Sequence, residues 1–211
     1  MSTVASISRK PRRTQEERSH ETRRLLLAAT IQALFEHGYS RATTAEIANR
    51  AGVSRGALNH HFDSKEDLVV QAVEWQLTAA TAEISALAMR LKEGRLTVSD
   101  FLDELWVRFS GELFLVTIEH VAEARHNPLL HKRLVPIVHD FHAELDRIWR
   151  HFFAKSGIPA RELETAFNAT LCLLRGMGFQ SVLRPDPAYF QRLLTYWKTH
   201  VSAMLNADPP R

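Results

Sequence analysis

Apolar residues recur at spacings of three and four along almost the whole chain, and no other feature of the sequence restricts the fold as much. This spacing places apolar side chains on one face of an α-helix, which has 3.6 residues per turn. Strand patterns are nearly absent, because no alternating run is bounded by an Asn-Gly or Asp-Gly turn. With 211 residues, of which 45% are hydrophobic, the chain has enough apolar surface for a substantial core. The sequence therefore predicts an all-α fold of about nine helices.

Glycines, prolines and charged stretches divide the chain into three predicted parts. Residues 1–13, with the run RKPRR, are expected to form a disordered basic arm. Residues 14–63 are predicted to form a small unit of three helices, and residues 64–211 a larger helical domain that begins with a long helix. Lysines and arginines outnumber acidic residues in the front part, although the net charge of the chain is only +3. This distribution favours a module that faces a polyanion, joined to a domain with another task.

Residues 43–65 combine two short predicted helices with a tight turn. Thr43 and Glu46 have the spacing of a capping box, in which each side chain bonds to a backbone N–H at the start of a helix. Ser54 is expected to cap the next helix in the same way, and Gly52 can adopt the backbone angles that end the first. The segment therefore predicts a helix-turn-helix, with an ordinary helical hairpin in a core as the alternative.

The second short helix carries the small and donor-rich residues that a recognition helix needs at its N-terminal end. The Arg55 guanidinium can donate twice to guanine, while Gly56 and Ala57 permit a close approach to the bases. Lys65, at the start of the next helix, can contact phosphate. The residues predicted to contact DNA are Thr43, Thr44, Ser54, Arg55, Gly56, Ala57, Asn59, His60, His61 and Lys65.

The stretch TTAEIANRAGVSRGALNHHFDSKEDL, residues 43–68, resembles the DNA-binding region of TetR-type transcriptional regulators. The resemblance is specific over residues 21–73, whereas the rest of the chain is similar to the family only in its helical layout. One departure concerns Asn59, which stands where such proteins usually carry a tyrosine that contacts the phosphate backbone. We therefore expect the phosphate contact to shift to His60 or His61.

The resemblance implies a sequence-specific transcriptional regulator that acts as a homodimer on double-stranded DNA and needs no cofactor. Such a protein is expected to be a repressor that leaves its operator when a small-molecule effector changes the separation of the two DNA-reading heads. The last two predicted helices carry apolar stripes that belong either to the domain's own core or to a four-helix bundle with a second copy. The residues predicted for that contact are Leu163, Phe167, Leu171, Phe190, Leu194, Trp197 and Val201.

Aromatic and aliphatic residues of the C-terminal helices are the predicted wall of an effector cavity, although helical stripes of this kind are more often plain core. The effector is expected to be small and largely apolar. An acidic or phenolic effector would be oriented by polar residues, of which the candidates are Arg108, Arg125, His142 and Arg175. The predicted site consists of Trp106, Phe109, Phe114, Ile118, Phe141, His142, Leu145, Leu174 and Arg175.

Three other functions leave weaker signals in the sequence. A metal-responsive regulator is an alternative because of histidines and acidic residues at helical spacing, although no HExxH motif or cysteine cluster accompanies them. These residues are Glu119, His120, Glu123, His126, His139 and His142. An enzyme is not expected, because the chain has no GxSxG motif and no phosphate-binding glycine loop. A nonspecific DNA-binding protein would not need the large, aromatic-rich C-terminal part.

The single cysteine and the absence of long apolar runs indicate in which cellular compartment the protein is expected. The single cysteine, Cys172, has no partner for an internal disulfide and is expected to be a small buried hydrophobe. No run of about 18 apolar residues occurs, and the first ten residues lack the apolar core of a signal peptide. We therefore expect a cytoplasmic protein without a membrane partner.

Overall fold

The computed structural model describes residues 14–111, 116, 122–153 and 157–206. Over these residues the chain is all-α, as predicted, and contains no strand. The predicted basic arm and most of a helix predicted between residues 112 and 126 lie outside the described residues. The helices with described bounds are α1 (Gln15–Arg41), α2 (Thr44–Arg50), α3 (Arg55–His61), α4 (Lys65–Lys92), α5 (Val98–Phe109), α6 (Pro128–Phe153), α7 (Ala160–Ser181) and α8 (Pro187–Asn206).

Polar side chains set the starts of several helices by satisfying backbone N–H groups that have no partner within the helix. Thr14 and Glu17 form a capping box at α1, where the Thr14 N–H donates to the Glu17 carboxylate at 2.8 Å. Thr97 and Asp100 form a second box at α5. At α4 the Ser64 hydroxyl accepts from the Asp67 N–H at 3.0 Å. The helix starts are therefore encoded locally in the sequence.

Two glycines with positive φ interrupt the helices. Gly38 has a φ of 71° near the end of α1, so the last residues of that helix follow a kink. Gly94 has a φ of 70° directly after α4, and the Arg95 N–H donates back to the Arg90 carbonyl at 2.9 Å. Such a conformation is easily adopted only without a Cβ. These two glycines bound the first and the longest of the packed helices.

Helices α1 to α3 pack with the first turns of α4 around a small apolar core, which we call the head. Its central side chains are almost completely buried, and they are Leu26, Leu34, Ile47, Leu58 and Leu68. Helix α4 has 28 residues, so it is about 42 Å long and leads from the head into the C-terminal helices. The orientation of the head is therefore tied to the position of α4.

The C-terminal helices form a second core, which is rich in aromatic side chains. Trp149 of α6 stacks on Phe167 of α7 with ring centroids 3.6 Å apart, and Phe101 of α5 meets the Trp149 ring edge-on at 5.6 Å. Each such pair contributes about 0.5–1.5 kcal/mol beyond the apolar area that it buries. The aromatic contacts thus hold α5, α6 and α7 in fixed relation.

An ion pair joins the start of α4 to α6. Asp67 is only 8% exposed, and its carboxylate accepts from Arg133 at 2.5 Å, from the Gln71 amide at 2.9 Å and from the Asp63 N–H at 3.2 Å. Burial raises the pKa of Asp67, but the hydrogen bonds from Arg133, Gln71 and Asp63 outweigh it, so that the pKa lies below its usual value. The pair fixes the head end of α4 against the C-terminal helices.

The position of the single cysteine differs from the prediction. Cys172 is exposed on α7, so the expectation that it is a buried hydrophobe was wrong. Its position in an apolar stretch indicated burial, but the stretch covers more than one face of the helix.

None of the described helices is long and apolar enough to cross a membrane.

Candidate nucleic-acid interface

The turn between α2 and α3 is fixed by two backbone hydrogen bonds around Gly52. Gly52 has a φ of 68°, its N–H donates to the Asn49 carbonyl at 3.0 Å, and the Val53 N–H donates to the Ala48 carbonyl at 3.0 Å. This pair of bonds is the Schellman motif, which ends a helix and sets the direction of the chain that follows. The predicted glycine turn is therefore present, and it fixes the angle at which α3 leaves α2.

The start of α2 has the predicted cap without the predicted reciprocal bond. The Thr43 hydroxyl accepts from the Glu46 N–H at 3.2 Å. The Glu46 carboxylate, however, does not bond back to the N–H of Thr43 but lies 3.0 Å from the His37 ring and 3.2 Å from Arg50. The prediction of a capping box was thus wrong in its second half, because two basic side chains compete for the carboxylate.

Arg50 connects α2 to the end of α1. Its guanidinium donates to both carboxylate oxygens of Glu36, at 2.7 and 2.6 Å. The hydrogen bonds from Arg50 hold the pKa of Glu36 below its usual value, against a small opposing effect of burial. Bidentate geometry of this kind restricts orientation as well as distance. Helix α2 therefore has a fixed position beneath α3.

Helix α3 separates its apolar and polar residues cleanly. Leu58 and the following Phe62 are 2% and 3% exposed and face the core of the head. The Ser54 hydroxyl caps the helix by accepting from the Ala57 N–H at 3.1 Å. The exposed residues of α3 are those predicted to reach base edges or phosphate, namely Arg55, Gly56, Asn59 and His60. These four residues of the predicted recognition surface are therefore accessible from solvent, whereas the predicted Ala57, His61 and Lys65 are half-buried.

Arg55 and Gly56 are free of constraints from the rest of the protein. No carboxylate of the described residues pairs with the exposed Arg55 side chain. A Cβ added at Gly56 would meet only the Ser54 hydroxyl, at 3.8 Å, so packing does not require glycine there. Both residues leave room above the N-terminal end of α3, where a recognition helix approaches DNA.

The two histidines of α3 differ in their surroundings. His60 is exposed, whereas His61 is half-buried and its ring lies 5.6 Å from that of His60. Burial, followed by the nearby charges of His60 and Arg23, lowers the pKa of His61. Of the two, His60 has the better access to a phosphate.

Lys65 is engaged within the protein. Its Nζ donates to the Tyr39 carbonyl at 2.5 Å and lies 4.3 Å from the centre of the Tyr39 ring. Burial lowers the pKa of Lys65, although Glu66 and Glu123 oppose it. Burial also raises the pKa of Tyr39 to about 12, together with Glu66, whose carboxylate accepts from the Tyr39 hydroxyl at 3.2 Å. Lys65 thus joins α4 to the end of α1, and its contact with phosphate stays a prediction.

Comparison with known proteins identifies the module. The family model of bacterial regulatory proteins of the tetR family matches residues 26–72, which cover the helix-turn-helix and the start of α4. The chain is 34% identical over 179 residues to the HTH-type transcriptional regulator BetI of Escherichia coli, a match that covers 78% of this chain and 84% of BetI. The chain belongs to the TetR family.

Two further proteins match over most of the chain. The HTH-type transcriptional regulator CymR of Pseudomonas putida is 28% identical over 182 residues, which are 86% of this chain and 90% of CymR. The structure of GusR from Salmonella enterica superposes with a TM-score of 0.65 at 24% identity, covering 92% of this chain and 98% of GusR. Like BetI and CymR, this TetR-family protein is a DNA-binding transcriptional regulator, and the family consists of regulators rather than enzymes.

Three of the predicted effector residues meet between α5, α6 and α7. The Arg175 guanidinium donates to Nε2 of His142 at 3.3 Å and lies over the ring of Phe109 at 5.4 Å. Arg108 is not part of this group, because it donates to Glu83 at 3.0 Å and to Glu104 at 2.8 Å. Its prediction as an effector-orienting residue is therefore not supported by its contacts.

The remaining predicted effector residues are dispersed. Trp106 stacks on Phe190, Arg125 is exposed, and Leu145 and Leu174 are buried in the core. Phe114 and Ile118 lie outside the described residues. Phe141 lines a groove of about 470 Å³, which we call the α4–α6 groove. Its lining consists of Glu74, Leu77, Thr78, Thr81, Ala82, Ser85, Ile137, Asp140, Phe141 and Glu144.

The residues predicted for the dimer contact lie inside a single protomer. All are buried except the half-buried Trp197, and they are Leu163, Phe167, Leu171, Phe190, Leu194, Trp197 and Val201. The alternative, that these stripes belong to the domain's own core, agrees with their burial. The opposite face of α7 carries the exposed residues Cys172, Gly176 and Phe179 at helical spacing, and the exposed Leu183 follows two residues after the end of the helix. We call these four residues the α7 outer stripe.

Metal-ligand residues are not clustered in the part of the chain that the structure describes, where no group of three or more potential ligands occurs. Glu119 and His120 of the predicted cluster lie outside it. His139 lies 3.4 Å from Asp140, whereas His142 faces Arg175. His139 and His142 thus have different partners, although both belong to α6.

Proposed function

We propose that this TetR-family regulator is a dimeric repressor that binds its operator through α3 and releases it when a small, largely apolar molecule binds the C-terminal helices. The observation that carries the proposal is the exposed N-terminal surface of α3, on which Arg55 faces solvent while Leu58 packs behind it. A packed helical hairpin has no need of an unpaired arginine at this position.

In the proposed complex, the N-terminal end of α3 enters the major groove. Arg55 donates to the O6 and N7 atoms of a guanine, which is the commonest specific contact of an arginine with DNA. Gly56 and Ala57 allow the helix to approach the bases, and Asn59 and His60 reach further base edges or phosphates. Two heads would read successive major grooves about 34–36 Å apart.

The α7 outer stripe supports a dimer. Phe179 is 54% exposed and lies on the same face of α7 as Cys172 and Gly176, and Leu183, just after the helix, is 84% exposed. Tyr196 of α8 is also an exposed aromatic residue, at 73%. A row of exposed apolar side chains on two antiparallel helices is typical of a protein interface. We propose that two protomers associate through this face in a four-helix bundle.

A charge placed on the α7 outer stripe tests the dimer. We expect Phe179→Glu to shift the protein from dimer to monomer in light scattering, because two carboxylates would be buried close to the symmetry axis. Val107→Glu, at an exposed apolar residue of α5, is the matched control and should remain dimeric. In the wild-type dimer the Cys172 thiol should react slowly with a maleimide, and the Phe179→Glu variant should react quickly. A monomeric wild type, or a dimeric Phe179→Glu variant, would contradict this interface.

The proposed release acts through α4. This helix begins in the head and packs against α6, to which Asp67 is tied through Arg133. A molecule that moves the C-terminal helices would therefore tilt α4 and change the separation of the two heads, which the DNA requires to be fixed.

The first experiment is the binding of the purified protein to its own upstream intergenic DNA and to a scrambled sequence at about 150 mM salt, where specificity separates from attraction to phosphate. We expect selective binding to the native sequence. Equal binding to both would leave no operator there and would favour nonspecific binding. A reporter driven by the selected sequence should be silenced by the wild-type protein, whereas a stimulated reporter would contradict the role of repressor.

A further inference from the structure

Arg175 is a partly buried cation that pairs with no acidic residue in the described part of the chain. Its guanidinium is half-buried, and it contacts the His142 ring and the face of Phe109. No carboxylate of the described residues lies within ion-pair distance of it. An arginine has five N–H donors in a planar fork, and only one of them is used here. The group therefore has donor capacity left for an anion.

The energetic situation of Arg175 is unfavourable in the absence of such an anion. Burial lowers the pKa of the Arg175 guanidinium, because the charged form loses hydration, and no carboxylate of the described residues compensates for this loss. His142 does not compensate, because burial and then the charge of Arg175 lower its pKa, against an opposing effect of Asp146. Strained electrostatics of this kind are typical of functional sites.

We propose that Arg175 and His142 bind the carboxylate of a monocarboxylic acid with an apolar body, and that this acid is the effector. Arg175 donates two parallel N–H groups to the two carboxylate oxygens, as arginine forks commonly do. The neutral His142 ring stays an acceptor for Arg175 and holds the fork in place. The identity of the acid as an effector rests on the proposed function, whereas its binding at Arg175 does not.

The surroundings favour a monoanion over a phosphate. Arg175 supplies a single positive charge, and the neighbouring Phe109 and Leu174 are buried apolar side chains. A dianionic phosphate would be left with an uncompensated charge in this environment. One carboxylate balances one guanidinium, and an aromatic or aliphatic body is compatible with the apolar side chains around it.

The α4–α6 groove is not an alternative site for the same molecule. Its rim carries the carboxylates of Glu74, Asp140 and Glu144, which repel an acid. A carboxylate ligand therefore distinguishes the Arg175 centre from the α4–α6 groove, even though Phe141 of the groove directly precedes His142 in the chain.

The test compares acids with their uncharged amides. Benzoate, phenylacetate and octanoate are each titrated into the full-length protein beside benzamide, phenylacetamide and octanamide, and the melting temperature is measured at constant ionic strength. We expect at least one of the acids to raise the melting temperature on the order of 5 °C near saturation. Its amide should have little effect. If no acid exceeds its amide, the proposal is overturned.

Two substitutions assign the effect to Arg175. Arg175→Gln should weaken acid binding by about tenfold to a hundredfold, because it removes a charge-assisted hydrogen-bonding group. Arg175→Lys keeps the charge but not the fork and should retain part of the affinity. Arg161→Gln, at an exposed position of the same helix, is the matched control and should bind the acid as the wild type does. Equal binding by the wild type and Arg175→Gln would refute the site.

The melting temperatures of the wild type and Arg175→Gln without any acid show whether Arg175 has a purely structural role. Arg175→Gln should melt no lower than the wild type, because it removes a buried charge that has no counter-ion. A large loss of stability in Arg175→Gln would indicate that the guanidinium serves packing instead, and would count against the proposal.

Operator binding separates this inference from the proposed function. An acid that binds the wild type but leaves operator affinity unchanged would uphold the Arg175 site and contradict release by this ligand. Selective operator binding together with no acid binding would overturn the Arg175 site alone. An acid that binds and also releases the operator in the wild type, but does neither in Arg175→Gln, is the expected result.

Discussion

At the scale of single residues, Arg55 is the side chain on which operator specificity is expected to depend most. Arg55→Ala should weaken operator binding by about 1–3 kcal/mol and relax the preference for one base pair, because a bidentate guanine contact is lost. The stability of the protein should not change, since no described carboxylate pairs with Arg55. Arg90→Ala is the control, at an exposed position of α4 about 37 Å along the helix from Lys65. Unchanged operator specificity in Arg55→Ala would refute the base contact.

Gly56 separates what the fold requires from what DNA binding requires. The free protein has room for a Cβ at Gly56, so Gly56→Ala should raise the free energy of unfolding by about 0.5–1 kcal/mol through a better helix propensity. In the complex the same Cβ would point at the bases and should reduce operator affinity at least about tenfold. Urea unfolding and an operator titration of one preparation measure both effects. A stabilised variant with full affinity would mean that this part of α3 lies away from the groove.

At the scale of helices, the sequence predicted α2, the turn and α3 well because their determinants are local. Thr43, Ser54 and Gly52 act on backbone groups within a few residues of themselves. The reciprocal bond of Glu46 was predicted wrongly because tertiary contacts bring other side chains to its carboxylate. One of them is His37, which comes from α1.

The two faces of α7 were harder to predict for a different reason. Leu171 faces the core and Cys172 faces solvent, although both belong to one apolar stretch. The spacing of the apolar residues shows which of them share a face of the helix, but it does not decide which of two apolar faces packs against the core. The meeting of Arg175, His142 and Phe109 was equally inaccessible, because it depends on how three helices cross. The sequence named all three as effector residues but could not predict that they form one cluster.

The ion pair between α4 and α6 gives a prediction at this scale. Arg133→Met should lower the free energy of unfolding by about 2 kcal/mol, because it leaves the buried Asp67 carboxylate without its cation. The loss should be smaller than for a fully buried ion pair, because Arg133 is partly exposed. The double variant Asp67→Asn with Arg133→Met should recover part of the loss. Arg147→Met, which breaks an exposed pair with Glu144 on the same helix, should cost less than about 1 kcal/mol. Similar losses in the two single variants would mean that Asp67 and Arg133 do not stabilise the junction.

At the scale of the whole molecule, the histidines with lowered pKa values make stability depend on pH. His61 and His142 are half-buried in the folded chain, where burial is the main cause that lowers their pKa values. In the unfolded chain a histidine titrates at about 6.5, so below that pH the unfolded state binds more protons than the folded state. The free energy of unfolding should therefore be fully retained above about pH 6.5 and fall as the solution becomes more acidic. Between pH 6.5 and 5.5 the loss is at most about 1 kcal/mol for each histidine.

Urea unfolding at a series of pH values measures this dependence. His142→Gln should flatten the decrease between pH 6.5 and 5.5, because it removes one of the two groups whose protonation favours the unfolded chain. A stability that is constant down to pH 5.5, or one that His142→Gln does not alter, would mean that His142 is not kept neutral by the fold.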